Sequence, residues 1–165
     1  MKRPRSARGP AIDVLVESPR WHAVPSAQRT VRRAIRAAVP KAKARSELSI
    51  VLTDDAAVRT LNRRWRGKNR PTNVLSFPAG DAGPQRGRPR HLGDIVIAYE
   101  TTAREAIGES KPFAHHLAHL TIHGFLHLLG YDHDKNDEAE KMERLERTIL
   151  ARIGIPDPYA IRDAG

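Results

Sequence analysis

The stretch His123-Gly124-Phe125-Leu126-His127-Leu128-Leu129-Gly130-Tyr131-Asp132-His133 carries three histidines at spacings of four and six residues. Histidines four residues apart lie one turn above each other on one face of a helix, which is the spacing of paired zinc ligands. On a straight helix the third histidine would lie ~15 Å from the first along the axis, too far to share one ion. Gly130 resolves this, because glycine just past a helix end adopts the left-handed conformation and lets the chain turn back. The stretch therefore predicts a zinc ion bound by His123, His127 and His133, at a helix end and in the turn that follows.

Three protein ligands leave one coordination position open, which is typical of a catalytic zinc, whereas structural zinc ions usually take four ligands. Metzincin peptidases have the same histidine spacing and carry their general-base glutamate directly after the first histidine. Gly124 stands at that position here, so no adjacent carboxylate can activate a water for peptide hydrolysis by that route. The stretch keeps the metal-ligand spacing of those enzymes and lacks their base.

The charge of the chain is positive and unevenly distributed. The formal net charge is +10, and residues 1–45 alone carry 12 lysines and arginines against two acidic residues. Residues 59–90 carry nine basic residues against Asp81, while residues 91–165 carry eight basic and 13 acidic residues. Basic regions of this size suit a polyanion, of which nucleic acid is the commonest. The alternative is a solubilising surface with a basic tail.

Length and composition restrict the architecture. At 165 residues the chain is expected to form one domain, and with no cysteine it has neither disulfides nor thiolate zinc ligands. No apolar run approaches 18 residues, and the basic start has no apolar segment of a secretory signal, so we expect no membrane association and a cytoplasmic protein. We expect a flexible basic arm over residues 1–10, a catalytic domain over 11–158 and a short tail over 159–165.

Hydrophobic periodicity and turn residues predict alternating strands and helices. The expected strands cover residues 11–17, 48–53, 74–77 and 92–99, and a basic loop covers 79–91. The first helix covers 26–39 with Ser26 as its cap, and the second follows Asp54 or Asp55, carries Trp65 in its apolar stripe and ends before Gly67. Three more helices run from Thr101 or Thr102 to Gly108, from Pro112 to about Leu129, and over 136–153. These elements predict an α+β fold, with a small mixed sheet of about four strands packed with about five helices.

Three segments resemble the YbeY family of bacterial zinc-dependent endoribonucleases, which are linked to rRNA maturation and ribosome quality control. They are the run from Leu61 to Pro78 with Arg66-Gly67-Lys68 and Pro71-Thr72-Asn73-Val74-Leu75-Ser76-Phe77, the run Leu92-Gly93-Asp94-Ile95-Val96-Ile97, and the three-histidine stretch. The acidic helix around Asp137-Glu138-Ala139-Glu140 also matches, so the resemblance covers about residues 46–158. It implies one Zn²⁺ bound by His123, His127 and His133, Arg66 as an important site residue, and a metal cleft in a compact α+β fold. It further implies action on rRNA precursors, including the 3′ end of 16S rRNA, with the small ribosomal subunit or its proteins as partners; we expect a monomer.

For other polar residues near these motifs, the sequence allows two roles, one in the site and one in the fold. Ser76 either hydrogen-bonds within the cleft or is a buried serine bonded to backbone. Asp132 and Asp134 flank the third histidine and serve either as a general base or as turn residues, and aspartate is common in turns. His119 could pair with His123 by spacing, but only His123 and His127 explain a third ligand beyond Gly130, so His119 is expected to support the site or to pack. We expect the other histidines to lie on the surface (His91, His115 and His116), and the charged residues of the last helix, Glu146 among them, to face solvent.

Three function classes remain from the sequence. A metal-dependent ribonuclease is supported by the site, the charge and the resemblance. A zinc peptidase or other hydrolase is disfavoured by Gly124 and by the basic charge. The third is a ribosome- or RNA-binding assembly factor whose zinc is mainly structural, which a fourth protein ligand on the metal would favour.

Overall fold

A computed structural model describes residues 9–80, 88–132 and 134–160. Four strands lie in these ranges: β1 (Ala11–Val16), β2 (Ser46–Thr53), β3 (Val74–Pro78) and β4 (Arg90–Ala98). The α-helices are α1 (Ala27–Ala38), α2 (Asp55–Arg66), α3 (Tyr99–Gly108), α4 (Phe113–Leu128) and α5 (Asn136–Arg152). Two short 3-10 helices span Pro19–Ala23 and Lys41–Lys43. None of the described helices is both long enough and apolar enough to cross a membrane.

The strands form one mixed sheet in the order β1-β2-β4-β3. Strands β1, β2 and β4 run parallel, and β3 pairs antiparallel with β4 at the edge of the sheet. The first parallel pair is joined through α1, as a parallel connection requires a crossover. The structure confirms the predicted α+β domain with a four-stranded mixed sheet and five helices.

Helices cover both faces of the sheet because β4 buries side chains on both of them. Ile95 and Ile97 point into the main core, which α1, α4 and α5 close from one side. Val96 points to the other face and packs with Val58 of α2 and Leu75 of β3. Side chains alternate between the faces of a strand, so α2 and α4 lie on opposite sides of the sheet. The edge strand β3 therefore lies between them.

Helix α4 approaches β3 closely at Gly124. A Cβ atom at this position would lie 3.0 Å from Ile95 Cγ2, 3.0 Å from Ser76 Oγ and 3.2 Å from Val74 Cγ2. The Ser76 hydroxyl donates a hydrogen bond of 2.9 Å to the Gly124 carbonyl. The missing side chain lets the helix backbone lie directly on the strand, which brings the histidine-bearing face of α4 to the sheet edge.

Helix α3 begins earlier than predicted, at Tyr99 rather than at Thr101 or Thr102. Its N-terminus is capped by another helix, since Asp55 Oδ1 accepts hydrogen bonds from the Thr101 N–H at 3.0 Å and from the Thr101 hydroxyl at 2.8 Å. Glu100 returns the contact by accepting from the Asp55 N–H at 3.1 Å. The local pattern of threonines was misleading because the capping groups come from an element about 45 residues earlier in the chain.

Three other local expectations, for Ser26, Trp65 and His116, differ from the structure. Ser26 occupies the N-cap position of α1, but its side chain makes no capping hydrogen bond. Trp65 continues the apolar stripe of α2 yet is 64% exposed. His116, expected at the surface, is only 4% exposed, and its Nε2 lies 2.9 Å from Glu105 Oε1. The carboxylate partner lowers the free-energy cost of burying the polar ring. Of the other two histidines expected at the surface, His91 is exposed and His115 is half-buried.

Candidate metal centre and RNA cleft

A cleft of about 620 Å³ opens at the β3 edge of the sheet. It is lined by the end of α2 and the loop after it, by β3, and by the end of α4 with the turn that follows. Five of the predicted site residues line this one cleft: Arg66, Ser76, His123, His127 and Asp132. Residues separated by about 60 positions in the chain are thus brought together by the sheet edge.

His123 and His127 converge on one point in the cleft. Both belong to α4, and their Nε2 atoms lie 3.1 Å apart. Helix α4 ends at Leu128, close to the predicted end, and Gly130 follows with a φ of 99°. The Gly130 N–H donates to the His127 carbonyl and the Tyr131 N–H to the Leu126 carbonyl, which is a Schellman end. The turn back after Gly130 is confirmed, while His133 lies outside the described residues and its ligand role stays a prediction.

A buried carboxylate orients His123 from behind. Glu146 of α5 is 0% exposed, and its Oε1 lies 2.6 Å from His123 Nδ1. Burial alone would raise the pKa of Glu146, but hydrogen bonds from His119, His123 and Tyr159 lower that pKa to about 2. An ionised carboxylate only accepts hydrogen bonds, so Nδ1 of His123 carries the proton. In the neutral ring Nε2 is then the nitrogen with the lone pair, and it is the nitrogen that faces His127.

His119 and Tyr159 hold the second oxygen of the same carboxylate. His119 Nε2 lies 3.0 Å from Glu146 Oε2, and the Tyr159 hydroxyl donates to that oxygen as well. Burial raises the pKa of the Tyr159 hydroxyl, and the bond to Glu146 raises it further, so Tyr159 remains a donor. His119 thus supports the site through Glu146 and does not line the cleft. Tyr159, which the sequence places at the start of the tail, packs against the domain.

The residues present fit a zinc ion. Two nitrogens bound to one tetrahedral zinc at ~2.05 Å lie about 3.3 Å apart, close to the distance that separates the two Nε2 atoms. A carboxylate on the other ring nitrogen is the usual partner of a zinc-bound histidine. The C-terminal end of α4 also carries the partial negative charge of the helix dipole, which favours a cation there. The described residues contain no group of three histidine, cysteine, aspartate or glutamate side chains placed to hold one metal ion, and His133 lies outside them.

Arg66 brings a permanent positive charge to the opposite wall of the cleft. It is the last residue of α2, and Gly67 reverses the chain with a φ of 67° and an N–H bonded to the Arg63 carbonyl. The Arg66 side chain is exposed and has no hydrogen bond or ion pair to any described residue. Lys68, two residues further, lines the same wall. Guanidinium and ammonium groups in this position suit a phosphate.

Ser76 and Asp132 each make a hydrogen bond that supports the local backbone. Ser76 is buried and its hydroxyl donates to the Gly124 carbonyl, as expected for a buried serine bonded to backbone. The residue also lines the cleft. Asp132 is exposed, and its Oδ1 accepts from the Asp134 N–H at 3.3 Å, as in an aspartate turn. These two hydrogen bonds are those of structure-forming polar groups in residues that line the cleft.

The main residue that sequence reasoning missed is Glu146, which was expected to face solvent. A signal was present in the sequence. Glu146 stands four residues after Met142, three before Ile149 and four before Leu150, and so it lies inside the apolar stripe of α5. A charged residue in that register indicates a buried, paired carboxylate. Its partners on α4 could not be identified from the pattern of α5.

Comparison with known proteins finds similarity over most of the chain. The family model described as "Endoribonuclease YbeY" matches residues 17–154. A protein named Endoribonuclease YbeY from Rhodopseudomonas palustris (strain BisA53) is 57% identical over 159 residues, covering 93% of this chain and 92% of the relative. Another of that name from Nitrobacter hamburgensis is 58% identical over 158 residues, covering 92% of this chain and 83% of the relative.

A solved structure shares the fold. The solution structure of a Thermotoga maritima protein has a TM-score of 0.53 and 22% identity, covering 93% of this chain and 98% of that one. At this identity the likeness shows the fold alone. The sequence similarity extends over most of the chain and includes every segment that lines the cleft. The chain belongs to the endoribonuclease YbeY family.

Proposed function

We propose that this protein is a zinc-dependent endoribonuclease that cleaves single-stranded RNA. We further propose that it acts as a cytoplasmic monomer in rRNA maturation, including the 3′ end of 16S rRNA, and in late ribosome quality control on the small subunit. Membership of the YbeY family, whose curated relatives carry the name endoribonuclease, supports the reaction class. The zinc requirement, the RNA substrates, the cellular role and location, and the monomeric state are proposals that go beyond that name.

One observation carries the proposal: two convergent histidines line the same cleft as an arginine that makes no hydrogen bond or ion pair to the described residues. A ribonuclease must bind a phosphodiester and stabilise the negative charge that grows on its oxygens. A metal centre and a planar, permanently charged guanidinium are the two groups best suited to that task. Gly124 leaves no base next to His123 for peptide chemistry, so the cleft favours a phosphodiester over a peptide.

The chain's own residues would divide the work as follows. His123, His127 and His133 would hold the zinc, with Glu146 fixing the tautomer of His123. A bound zinc would supply a Lewis acid next to the scissile phosphate. Arg66 would pair with two phosphate oxygens through its planar fork and stabilise their developing charge. Lys68 would bind a neighbouring phosphate.

The test is cleavage of a labelled precursor of the small-subunit rRNA 3′ end by the purified protein. The reaction is run with chelator, with zinc restored, and with the His127→Ala protein as a control for contaminating nucleases. Cleavage that requires both zinc and His127 supports the proposal. Tight RNA binding without cleavage under all conditions would replace it with the assembly-factor reading, in which zinc only holds the fold.

Arg66→Glu tests the second half of the site. We expect the variant to keep its fold and bound zinc but to lose RNA cleavage, because the charge that stabilises the phosphate is reversed. The matched control is Arg144→Glu, which makes the same change at an exposed position of α5 away from the cleft. Unchanged turnover in Arg66→Glu, measured beside that control, would remove Arg66 from the site.

A further inference from the structure

Two grooves that adjoin the cleft offer different paths for an RNA strand. The first, here called the α2 groove, has a volume of about 240 Å³ and shares Arg66, Lys68, Thr72 and Val74 with the cleft. The second, here called the α5 groove, has a volume of about 400 Å³ and shares Gly130, Tyr131 and Asp132 with the cleft. An RNA bound across the metal centre could continue along either groove.

The charges of the two grooves differ. The α2 groove is lined by Arg66, Lys68 and Arg70, with no acidic residue among its lining residues. The α5 groove carries Lys43 and Lys141 against Asp132 and Glu138, so its formal charge cancels. Each nucleotide brings a phosphate, and neutralising phosphates with cations dominates the affinity for nucleic acid. The charge pattern favours the α2 groove.

The cations of the α2 groove are held on a fixed piece of backbone. Asn62, a buried residue of α2, donates a hydrogen bond of 2.9 Å from its Nδ2 to the Arg70 carbonyl. The Lys68 N–H donates to the Asn62 carbonyl at 3.3 Å. The loop after α2 is thereby tied to the helix at both of its cationic positions. A groove prepared in this way loses little conformational freedom when a strand binds.

An aromatic platform stands beside this groove. Trp65 precedes Arg66 at the end of α2 and is 64% exposed, with the Arg64 guanidinium 5.4 Å from its ring centre. It continues the stripe of Val58 and Leu61, but those two residues pack on the sheet while most of the Trp65 side chain is exposed. Large aromatic side chains between cations are the usual stacking surfaces for unpaired bases.

We propose that single-stranded RNA leaves the histidine cleft through the α2 groove, with Lys68 and Arg70 on its phosphates and an unpaired base stacked on Trp65. This inference rests on the proposed function, because it takes the cleft to be the place where RNA is cut. It adds the path that the bound strand takes out of the cleft, and it names the residues that bind the strand there. Phosphate contacts position a strand without reading its sequence, so the binding is expected to be sequence-tolerant.

The test compares matched double variants that each remove two positive charges. Lys68→Gln/Arg70→Gln alters the α2 groove, and Lys43→Gln/Lys141→Gln alters the α5 groove. Binding of a fluorescein-labelled 15-nucleotide oligouridylate to the full chain is measured by anisotropy at several salt concentrations, with chelator present so that nothing is cut. We expect the first variant to bind roughly tenfold or more weakly, with the slope of log affinity against log salt reduced by about 1.4 for two lost phosphates. The second variant should stay within about threefold of wild type.

Trp65 provides an independent readout. The chain has two tryptophans, and Trp21 is buried with its indole N–H bonded to the Thr53 carbonyl. Quenching of tryptophan emission by added oligouridylate therefore reports on Trp65. We expect quenching in the wild type and none in Trp65→Leu, together with several-fold weaker binding by that variant. An equal or larger loss in the α5-groove variant, or unquenched emission on saturation, would overturn the inference.

These results separate the two proposals. Binding along the α2 groove by a protein that never cleaves would leave this inference standing and overturn the proposed function. Zinc-dependent cleavage by a protein whose binding ignores Lys68, Arg70 and Trp65 would do the reverse.

Discussion

At the residue scale, Glu146 shows how one buried carboxylate can organise a site that it does not line. Its two oxygens receive His123 on one side and His119 with Tyr159 on the other. Every hydrogen-bond donor that it needs in a dry environment is supplied, which is what allows a charged group to be fully buried. The orientation of His123 depends on this arrangement.

We predict that Glu146→Gln weakens zinc binding about 10- to 100-fold, the usual effect of losing the partner of a metal-bound histidine. The amide keeps the size of the carboxylate but places an NH₂ group where only an acceptor fits. Zinc affinity is measured by competition with a chromophoric chelator. Glu143→Gln, on the same helix but beside Arg147 at the surface, is the control and should bind zinc normally. Equal affinities for the two variants would contradict the orienting role.

A second prediction concerns the contact between α4 and the sheet. Gly124→Ala should lower the free energy of unfolding by up to about 2 kcal/mol, because overpacking costs about 1–3 kcal/mol and the gain in helix propensity offsets about 1 kcal/mol of that cost. Gly108→Ala in α3 is the control, since a Cβ there has no atom within 4 Å. Urea unfolding should show the control to be as stable as wild type or more stable. A stabilised Gly124→Ala would show that Ile95 and Ser76 can move aside.

The histidine pair and its glycine turn could be predicted from the sequence because all the relevant residues lie within one helix and its end. Arg66 was predicted as a site residue from the family resemblance, and the structure places it in the same cleft as the histidines. Glu146 could not be assigned, because its partners His119 and His123 come from another helix more than 20 residues away. Patterns along one helix show which face is buried, not which group it meets.

At the element scale, α2 and α3 stabilise each other through their first turns. Asp55 caps α3, Glu100 caps Asp55 in return, and Arg104 adds an ion pair of 3.0 Å to Asp55. Helix starts leave N–H groups without partners, and here two helices satisfy each other. Most helices and strands were predictable from periodicity, glycines and prolines. The start of α3 was not, because its cap is a tertiary contact.

We predict that Asp55→Ala costs about 0.5–2 kcal/mol of stability, the range for losing a helix cap. The first turn of α3 should lose protection from hydrogen exchange, although the substitution lies in α2, because the Asp55 carboxylate accepts from Thr101. Glu140→Ala on the exposed face of α5 is the control and should change neither quantity. Exchange that accelerates in α2 alone would contradict the reciprocal arrangement.

At the scale of the whole molecule, the cleft exists because an edge strand lies between helices on opposite faces of the sheet. The α2 side contributes the cations and the α4 side contributes the histidines. Neither side forms the site alone, and both pack on the same sheet. Binding of an ion at the cleft should therefore stabilise the entire domain.

We predict that zinc at 100 times its dissociation constant raises the free energy of unfolding by about 2.7 kcal/mol. For a domain of this size that corresponds to a rise of roughly 5–10 °C in the melting temperature. His127→Ala should show no such rise, while His115→Ala, which lies outside the cleft, should retain it. Thermal scans with zinc and with chelator measure the difference, and an identical rise in His127→Ala would exclude His127 as a ligand.

The close packing at Gly124 also restricts the evolutionary paths open to this scaffold. Replacing that glycine with glutamate would recreate, in a single step, the base-bearing motif of zinc peptidases. The new side chain would begin 3.0 Å from Ile95 and from Ser76, so these side chains or α4 itself would have to shift to accommodate it. An ancestor with this helix–strand contact could not sample peptide hydrolysis by one mutation without damaging its fold. A steric contact between a helix and the sheet thus helps to keep one metal-binding motif from acquiring the chemistry of another.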